Sequence, residues 1–476
     1  MLQNIAQKRE KFIIGLKKKA REETFRKNRF PQSKNVIPFS SSNDIFQSSY
    51  YEAFEKGNQQ KKFNFMNDDL EIGETMTDCI FKVQQLNNYY NEYDCEPDYD
   101  TTKDVERIFK IFNMGYPQID KSCLHILLAI SAGNHQQVQP IHEYIQQLTD
   151  YYNSTYYTEL QQYILDIFAN LACDCYQCRD LILVLEVPKH LWKYTLQCKQ
   201  KCLFDDFYSM IINLDRMKPE INKFKLIQLH QILQDLYIQL YNAEEKKQIL
   251  KIMNRIYSYD KSKLDLSFLN YLLKGDHENM QLSGEIFKYF QYVSLLDNEI
   301  TLNFQSQMAH TIIKTINKYM EQDNISRAEL KSLVKKGFVT LSNFITDDPQ
   351  NVNEFWEDIL PYAQNIPSIF LEVDDFFLFL HNLIKFSKDE DVIKLNRDYK
   401  LIKQIAQEIN DYCEEKDSQF LFNILSILYR LLNIDDANVK IFNEEDCESR
   451  ILYIQQMNIS DENYELTNMI LDRLDQ

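Results

Sequence analysis

Apolar positions fall in a few dense runs along this chain, among them LHILLAISA, YILDIFANLA, FYSMIINLD, GFVTLSNFI and FLFLHNLIKF. Each run is too continuously apolar for a helix with one wet face and reads as a helix buried on most sides. Each is followed by a polar break and then by further helical periodicity. Equivalent points of the runs sit at Ala129, Asn170, Asn213, Ile256, Asn343 and Asn382, separated by 41, 43, 43, 87 and 39 residues. The 87 is read as two periods. A recurrence near 42 residues is the mark of HEAT or armadillo arrays, in which a unit of two or three helices buries its apolar faces only against its neighbours. The phase between about 262 and 325 is not fixed by the pattern. The expected fold is therefore all-α: a right-handed superhelical solenoid of about ten repeats over residues 63–476, without β-sheet.

Composition supports helices throughout. There are 8 glycines and 10 prolines among 476 residues, too few breakers for hairpins or phosphate-binding loops. Ahead of the array the pattern changes twice: residues 1–30 are basic and amphipathic, and residues 31–62, with SSSNDIFQSS and EKGNQQKK, form a polar linker.

Charge sharpens this division. The whole chain carries 53 Lys and Arg against 71 Asp and Glu, for a net −18, yet the first 35 residues hold 11 of the cations against Glu10, Glu22 and Glu23. An acidic body binds nucleic acid poorly and suits basic peptides, although runs of charge are commonly no more than solvated faces. No direct nucleic-acid partner is expected. The apolar run FIIGL at 12–16 is too short for a secretory signal, and FFLFLHNLIKF from Phe376 is interrupted by His381, Asn382 and Lys385, so no membrane segment is expected either. Ten cysteines without a signal point to a reduced intracellular protein.

Four strings carry a family likeness in their order and spacing. NLACDCYQCRDLIL from Asn170 places Asn170, Asp174, Cys178, Arg179 and Asp180 in the pattern N-I-A-G-D, three residues, C-R-D. NLDRMKP supplies Asn213, Arg216, Lys218 and Pro219. LKSLVKKGFVTLSNFITDDPQNVNEF follows from Leu330, and AISAGNHQQVQ from Ala129. Together they resemble the second, third, fourth and seventh armadillo repeats of importin alpha, and ESRILYIQQMNISDENYELTNMILDRL resembles that family's closing stretch. KREKFIIGLKKKAREETFRKNRFP is similar to the latter half of the family's importin-beta-binding segment, the earlier half having no counterpart.

The resemblance implies a nuclear import adaptor, shuttling between cytoplasm and nucleus, that holds basic localisation signals in an acidic inner groove and links them to importin beta, with an export receptor at the C-terminal repeats. Lys8, Arg9, Lys17, Lys18, Lys19, Arg21, Arg26 and Lys27 would be the importin-beta-binding cations. In the family a Trp one turn before each groove Asn walls a slot for a lysine stem, while the Asn bonds the peptide backbone. Here Asn170, Asn213, Asn343 and Asn382 remain, but the paired positions are Asp166, Ser209, Val339 and Leu378, and the second repeat has His125 and Ala129, with Gly133 and Asn134 beside them. Asp174 stands where the family takes the key lysine of the signal, and Asp166 adds charge nearby. The tryptophans, Trp192 and Trp356, are expected outside the array. The plainer readings are helix-surface or capping asparagines, a generic basic tail, and a divergent armadillo scaffold without import activity.

Cys173, Cys175, Cys178, Cys198 and Cys202 cluster in sequence in spacings that raise zinc, but cysteines on helix faces pack as small apolar residues, and no metal is expected. No dinucleotide, Walker, nucleophile-elbow or metalloprotease motif occurs. Neither catalysis nor a cofactor is expected.

Overall fold

The computed structural model describes residues 100–475 apart from 175, 276–278, 297–298, 323, 348–367, 411–417, 445–446 and 458, together with Val83, Gln85, Leu86 and Tyr90. All lie in the compact unit Thr75–Gln476. The basic segment 1–30, the linker 31–62 and Trp356 lie outside the described residues.

Among the described residues the secondary structure is helical, with no strand. Nine helices form a continuous row, each packed on the next: α1 Pro117–Ser131, α2 Thr158–Asp174, α3 Lys201–Arg216, α4 Ala243–Tyr259, α5 Met280–Ser294, α6 Arg327–Asp347, α7 Asp374–Phe386, α8 Ser418–Ile434 and α9 Asp461–Leu474. Their first residues are 37–47 positions apart. The five apolar runs all fall on row helices, which explains their density. A row helix touches a row neighbour on each side and connecting helices behind, so Ile164, Leu165, Ile167, Phe168 and Leu171 of α2 are all buried. Polar residues keep only the remaining stripe.

Local signals place the ends. Pro117 opens α1 at a position where its missing N–H costs nothing. Asn242, Asn279 and Ser460 accept backbone N–H bonds at the starts of α4, α5 and α9. The stretch 262–325, unphased in sequence, holds α5 and the helix Glu299–Met320. Gly337 of α6 packs on that second helix. A Cβ at Gly337 would meet Ile316 Cδ1 at 2.8 Å and Ile312 Cγ2 at 3.0 Å, so the glycine permits the close approach.

A second set of links joins the helices behind the row. The Tyr152 and Thr195 hydroxyls share a hydrogen bond of 2.6 Å between Ile145–Ser154 and Val187–Cys198, and Trp192 Nε1 donates to Asp235 Oδ2 at 3.3 Å between Val187–Cys198 and His230–Gln239. Both links span 43 residues. Trp192, expected outside the array, is thus a core residue, packed by Phe204 and Phe207. A ring this large with one N–H donor suits a seam between layers, where the body is dry and the donor reaches a carboxylate.

Candidate functional site

The family-like asparagines share one structural register, and each amide reaches back to the preceding row helix. Asn170 Nδ2 donates to Ser131 Oγ at 3.0 Å, Asn213 to the Ala169 carbonyl at 2.9 Å, Asn343 to Ser294 Oγ at 3.1 Å and Asn382 to Ser342 Oγ at 2.6 Å. Asn170, Asn213 and Asn343 stay half-buried, whereas Asn382 is buried.

The same register continues in residues that the sequence reading passed over. Arg255 of α4 pairs with Asp215 of α3 at 2.8 Å. Arg430 of α8 donates to the Lys385 and Ser387 carbonyls at 2.8 and 2.7 Å, and Arg473 of α9 donates to the Leu432 carbonyl at 3.2 Å. Asn170, Asn213, Arg255, Arg430 and Arg473 are each the thirteenth residue of their helix, as is Ala129 of α1. A cationic donor at the C-terminal end of the preceding helix satisfies orphan carbonyls and complements the helix dipole. The register position is therefore a strut between layers, and Asn and Arg both fill it.

Two of the family-like strings meet in space. Arg179 of C-R-D is 1% exposed, and its guanidinium donates to the carbonyls of Met217, at 2.9 Å, and of Pro219, both in N-L-D-R-M-K-P. Asp180 Oδ1 takes Nε at 3.0 Å. The buried guanidinium thereby ties the two strings together in the folded chain.

The positions that would carry Trp in the family lie on the wetter stripe: Asp166, Val339 and Leu378 are half-buried and Ser209 is exposed. His125 and Tyr163 add an edge-to-face ring pair across α1 and α2, centroids 5.5 Å apart. On α3 the same side gains Asp205 and Asp206. Gln162 Nε2 of α2 donates to Asp206 Oδ2 at 2.8 Å, and burial pushes the Asp206 carboxyl up to about 6, with Asp205 adding to the rise. The folded state therefore binds the Asp206 proton more tightly than the unfolded chain. Its ionisation costs stability fully above about pH 6 and not at all below the ordinary 3.8. Asp206→Asn keeps an acceptor for Gln162. It should raise the unfolding free energy at pH 7 by on the order of 1–3 kcal/mol and leave it unchanged near pH 4, as urea titrations at the two pH values can read.

Residues 133–142 have different work from that expected of Gly133 and Asn134. Asn134 caps the short helix His135–Val138: its side chain accepts from Gln137 N at 3.2 Å while its own N–H donates to Gln137 Oε1 at 3.0 Å. Gly133 lies against the Gln137 side chain, in space that a Cβ would fill. Asp174 is held rather than open. His135 Nδ1 stands 3.1 Å from Asp174 Oδ2 and the Cys178 thiol is 3.6 Å from the same oxygen, leaving the Asp174 side chain 11% exposed. His142 Nε2 closes on Cys178 Sγ at 3.0 Å. Burial, reinforced by nearby His135, lowers the His142 pKa.

Comparison with known proteins adds a likeness of backbone only. No family profile and no curated protein sequence matches this chain. The crystal structure of an engineered protein from the Northeast Structural Genomics Consortium is similar with a TM-score of 0.54 at 11% identity, over 83% of this chain and 95% of that one. A structure described as a conserved phosphorylation switch controlling the interaction between cadherin and beta-catenin is similar with a TM-score of 0.45 at 11% identity, over 86% of this chain and 98% of that one, a likeness too low to bear on the fold.

Of the cysteines in the zinc-like spacing, Cys178 alone joins a ligand-like group among the described residues, and its companions are His and Asp rather than cysteines. The importin-beta-binding cations, Lys8 to Lys27, lie outside the described residues. No helix among the described residues is long and apolar enough to cross a membrane.

Proposed function

We propose that the chain is an importin-alpha-like adaptor: an armadillo solenoid of about ten repeats, wound as a right-handed superhelix, that binds extended basic peptides along its row helices and importin beta through residues 1–30. The observation that carries this reading is the stripe across α2 and α3. Asp166 and Asn170 lie on α2 and Asp205, Asp206 and Asn213 on α3, two packed neighbours joined by Gln162 to Asp206 and by Asn213 to the Ala169 carbonyl, so carboxylates for lysine heads and amides occur along one seam. A lysine arriving there relieves the cost of ionising Asp206 and finds acceptors about one helix spacing apart, some 8–10 Å. The cargo is a protein bearing a basic localisation signal, and the cellular setting is exchange between cytoplasm and nucleus.

The inward use of all four asparagine amides favours a second reading, a protein-binding scaffold with no cargo groove. Affinity capture separates the two, using the intact chain and one lacking residues 1–30. The adaptor recovers importin beta only when intact, whereas the scaffold recovers none with either. Fluorescence anisotropy with a classical basic peptide adds the groove itself. Asp166→Lys together with Asp205→Lys should weaken binding at least tenfold, equivalent to about 1.4 kcal/mol or more, and unchanged affinity would sink the groove.

A further inference from the structure

We propose that His135, His142, Asp174 and Cys178 form a site for one divalent cation of zinc's class. The residues come from two places about forty positions apart: His135 opens the short helix after α1 and His142 lies in the 3-10 turn Gln139–Tyr144, while Asp174 ends α2 and Cys178 lies in Tyr176–Val184. Packing of one layer on the next brings the two pairs together.

Three of the donor atoms, on His135, Asp174 and Cys178, are spaced close to what a tetrahedral ion requires. Bonds of about 2.0–2.1 Å to nitrogen and oxygen and about 2.3 Å to sulfur, at tetrahedral angles, set ligand atoms roughly 3.3–3.6 Å apart. Here His135 Nδ1 and Asp174 Oδ2 are 3.1 Å apart, Asp174 Oδ2 and Cys178 Sγ 3.6 Å, and Cys178 Sγ and His135 Nδ1 3.8 Å. The fourth donor, His142 Nε2, stands 3.0 Å from Cys178 Sγ. His135 Nδ1, Asp174 Oδ2 and Cys178 Sγ lie within 4.8 Å of one another, and His142 Nε2, against Cys178 Sγ, is the donor that completes the set once the ion draws it in. Two nitrogens, one oxygen and one sulfur suit Zn2+ or Co2+ rather than Mg2+ or Ca2+, which take oxygen shells. The placement is also that of a structural site, with Cys178 fully buried and Asp174 nearly so. On binding, the Cys178 thiol becomes a thiolate and its proton leaves to solvent. The ion braces residues 134–144 against the C-terminal end of α2, and it occupies the carboxylate that the family likeness would offer to a lysine.

Cobalt reports both geometry and ligand type. Full-length chain, reduced and stripped with chelator, is titrated anaerobically with Co2+. The expected result is one equivalent bound, with the intense visible d–d absorption of tetrahedral Co2+, a near-ultraviolet thiolate charge-transfer band, and displacement of both by one equivalent of Zn2+. Cys178→Ser should remove the charge-transfer band. His135→Gln and His142→Gln, at half-buried positions, should each weaken binding by at least the roughly 10–100-fold that even an outer-shell partner is worth, and Cys202→Ser should change nothing. Circular dichroism of each variant confirms that it folds, and the two histidine variants decide the matter if Cys178→Ser does not. A pale octahedral spectrum, a band that survives Cys178→Ser, or affinity unchanged in either histidine variant overturns the site.

Discussion

Arg179→Met should lower the unfolding free energy by on the order of 1–3 kcal/mol. Methionine replaces most of the buried volume, so what is lost is polar. The carbonyls of half-buried Met217 and exposed Pro219 lose their guanidinium donor; water can replace it at Pro219, so the cost is chiefly that of the Met217 carbonyl, about 1–3 kcal/mol. Asp180 also loses its cation, but its side chain is 40% exposed and water recovers most of that interaction. The described row helices pack on their immediate neighbours, so the damage is local. Hydrogen exchange should quicken first at 176–239, ahead of α6 to α9, and the urea midpoint should fall. A loss under about 1 kcal/mol would show that the two strings are not joined by this side chain.

The second large effect concerns binding, and it rests on the adaptor reading. Asp166→Trp with Ser209→Trp should tighten a classical basic peptide at least tenfold and flatten its salt dependence. Charge alone holds a lysine in the natural stripe, and such attraction fades as the Debye length shortens from about 10 Å at 0.1 M salt to about 3 Å at 1 M. A ring beside the aliphatic stem adds about 0.5–2 kcal/mol per site through contacts that salt hardly touches. Both positions accept a large side chain because Ser209 is exposed and Asp166 half-buried. Anisotropy at low and high salt reads both changes, and an affinity unmoved at high salt would mean that the peptide does not lie over these two positions.

The row of helices was legible because burial on several sides leaves dense apolar runs, and a constant layer thickness makes them recur. Phase was lost between 262 and 325 for a physical reason. α5 carries Ser283, Gly284 and Glu285 among its buried positions, with Glu285 held by Lys336 at 3.0 Å, so its apolar run is broken where an ion pair does the packing. The register itself was half legible. A search for Asn finds four struts and misses Arg255, Arg430 and Arg473, since the requirement is a donor that reaches one helix back and two residue types meet it. Trp192 was misplaced because a pattern built on row helices says nothing of the helices behind them. The histidines of residues 133–142 were invisible for a different reason: they sit in a short helix and a 3-10 turn without periodicity, and their partners lie 36–43 residues away. Cysteine spacing looks for ligands in the wrong direction, along the chain rather than across layers.

The short reach of these links has a consequence for how the chain is made. Hydrogen bonds between layers span 31–53 residues, so a row helix leaving the ribosome finds its earlier neighbour already in place. At about 5–20 residues per second, one layer takes roughly 2–8 s to emerge, far longer than helices take to form and dock. Assembly can keep pace with synthesis, layer by layer from the N-terminal side. The growing end is then the vulnerable point: until the next layer arrives, the last row helix presents apolar side chains such as Phe377 of α7, which packs on Phe420 of α8, and a stalled chain leaves them for chaperones or for another stalled chain.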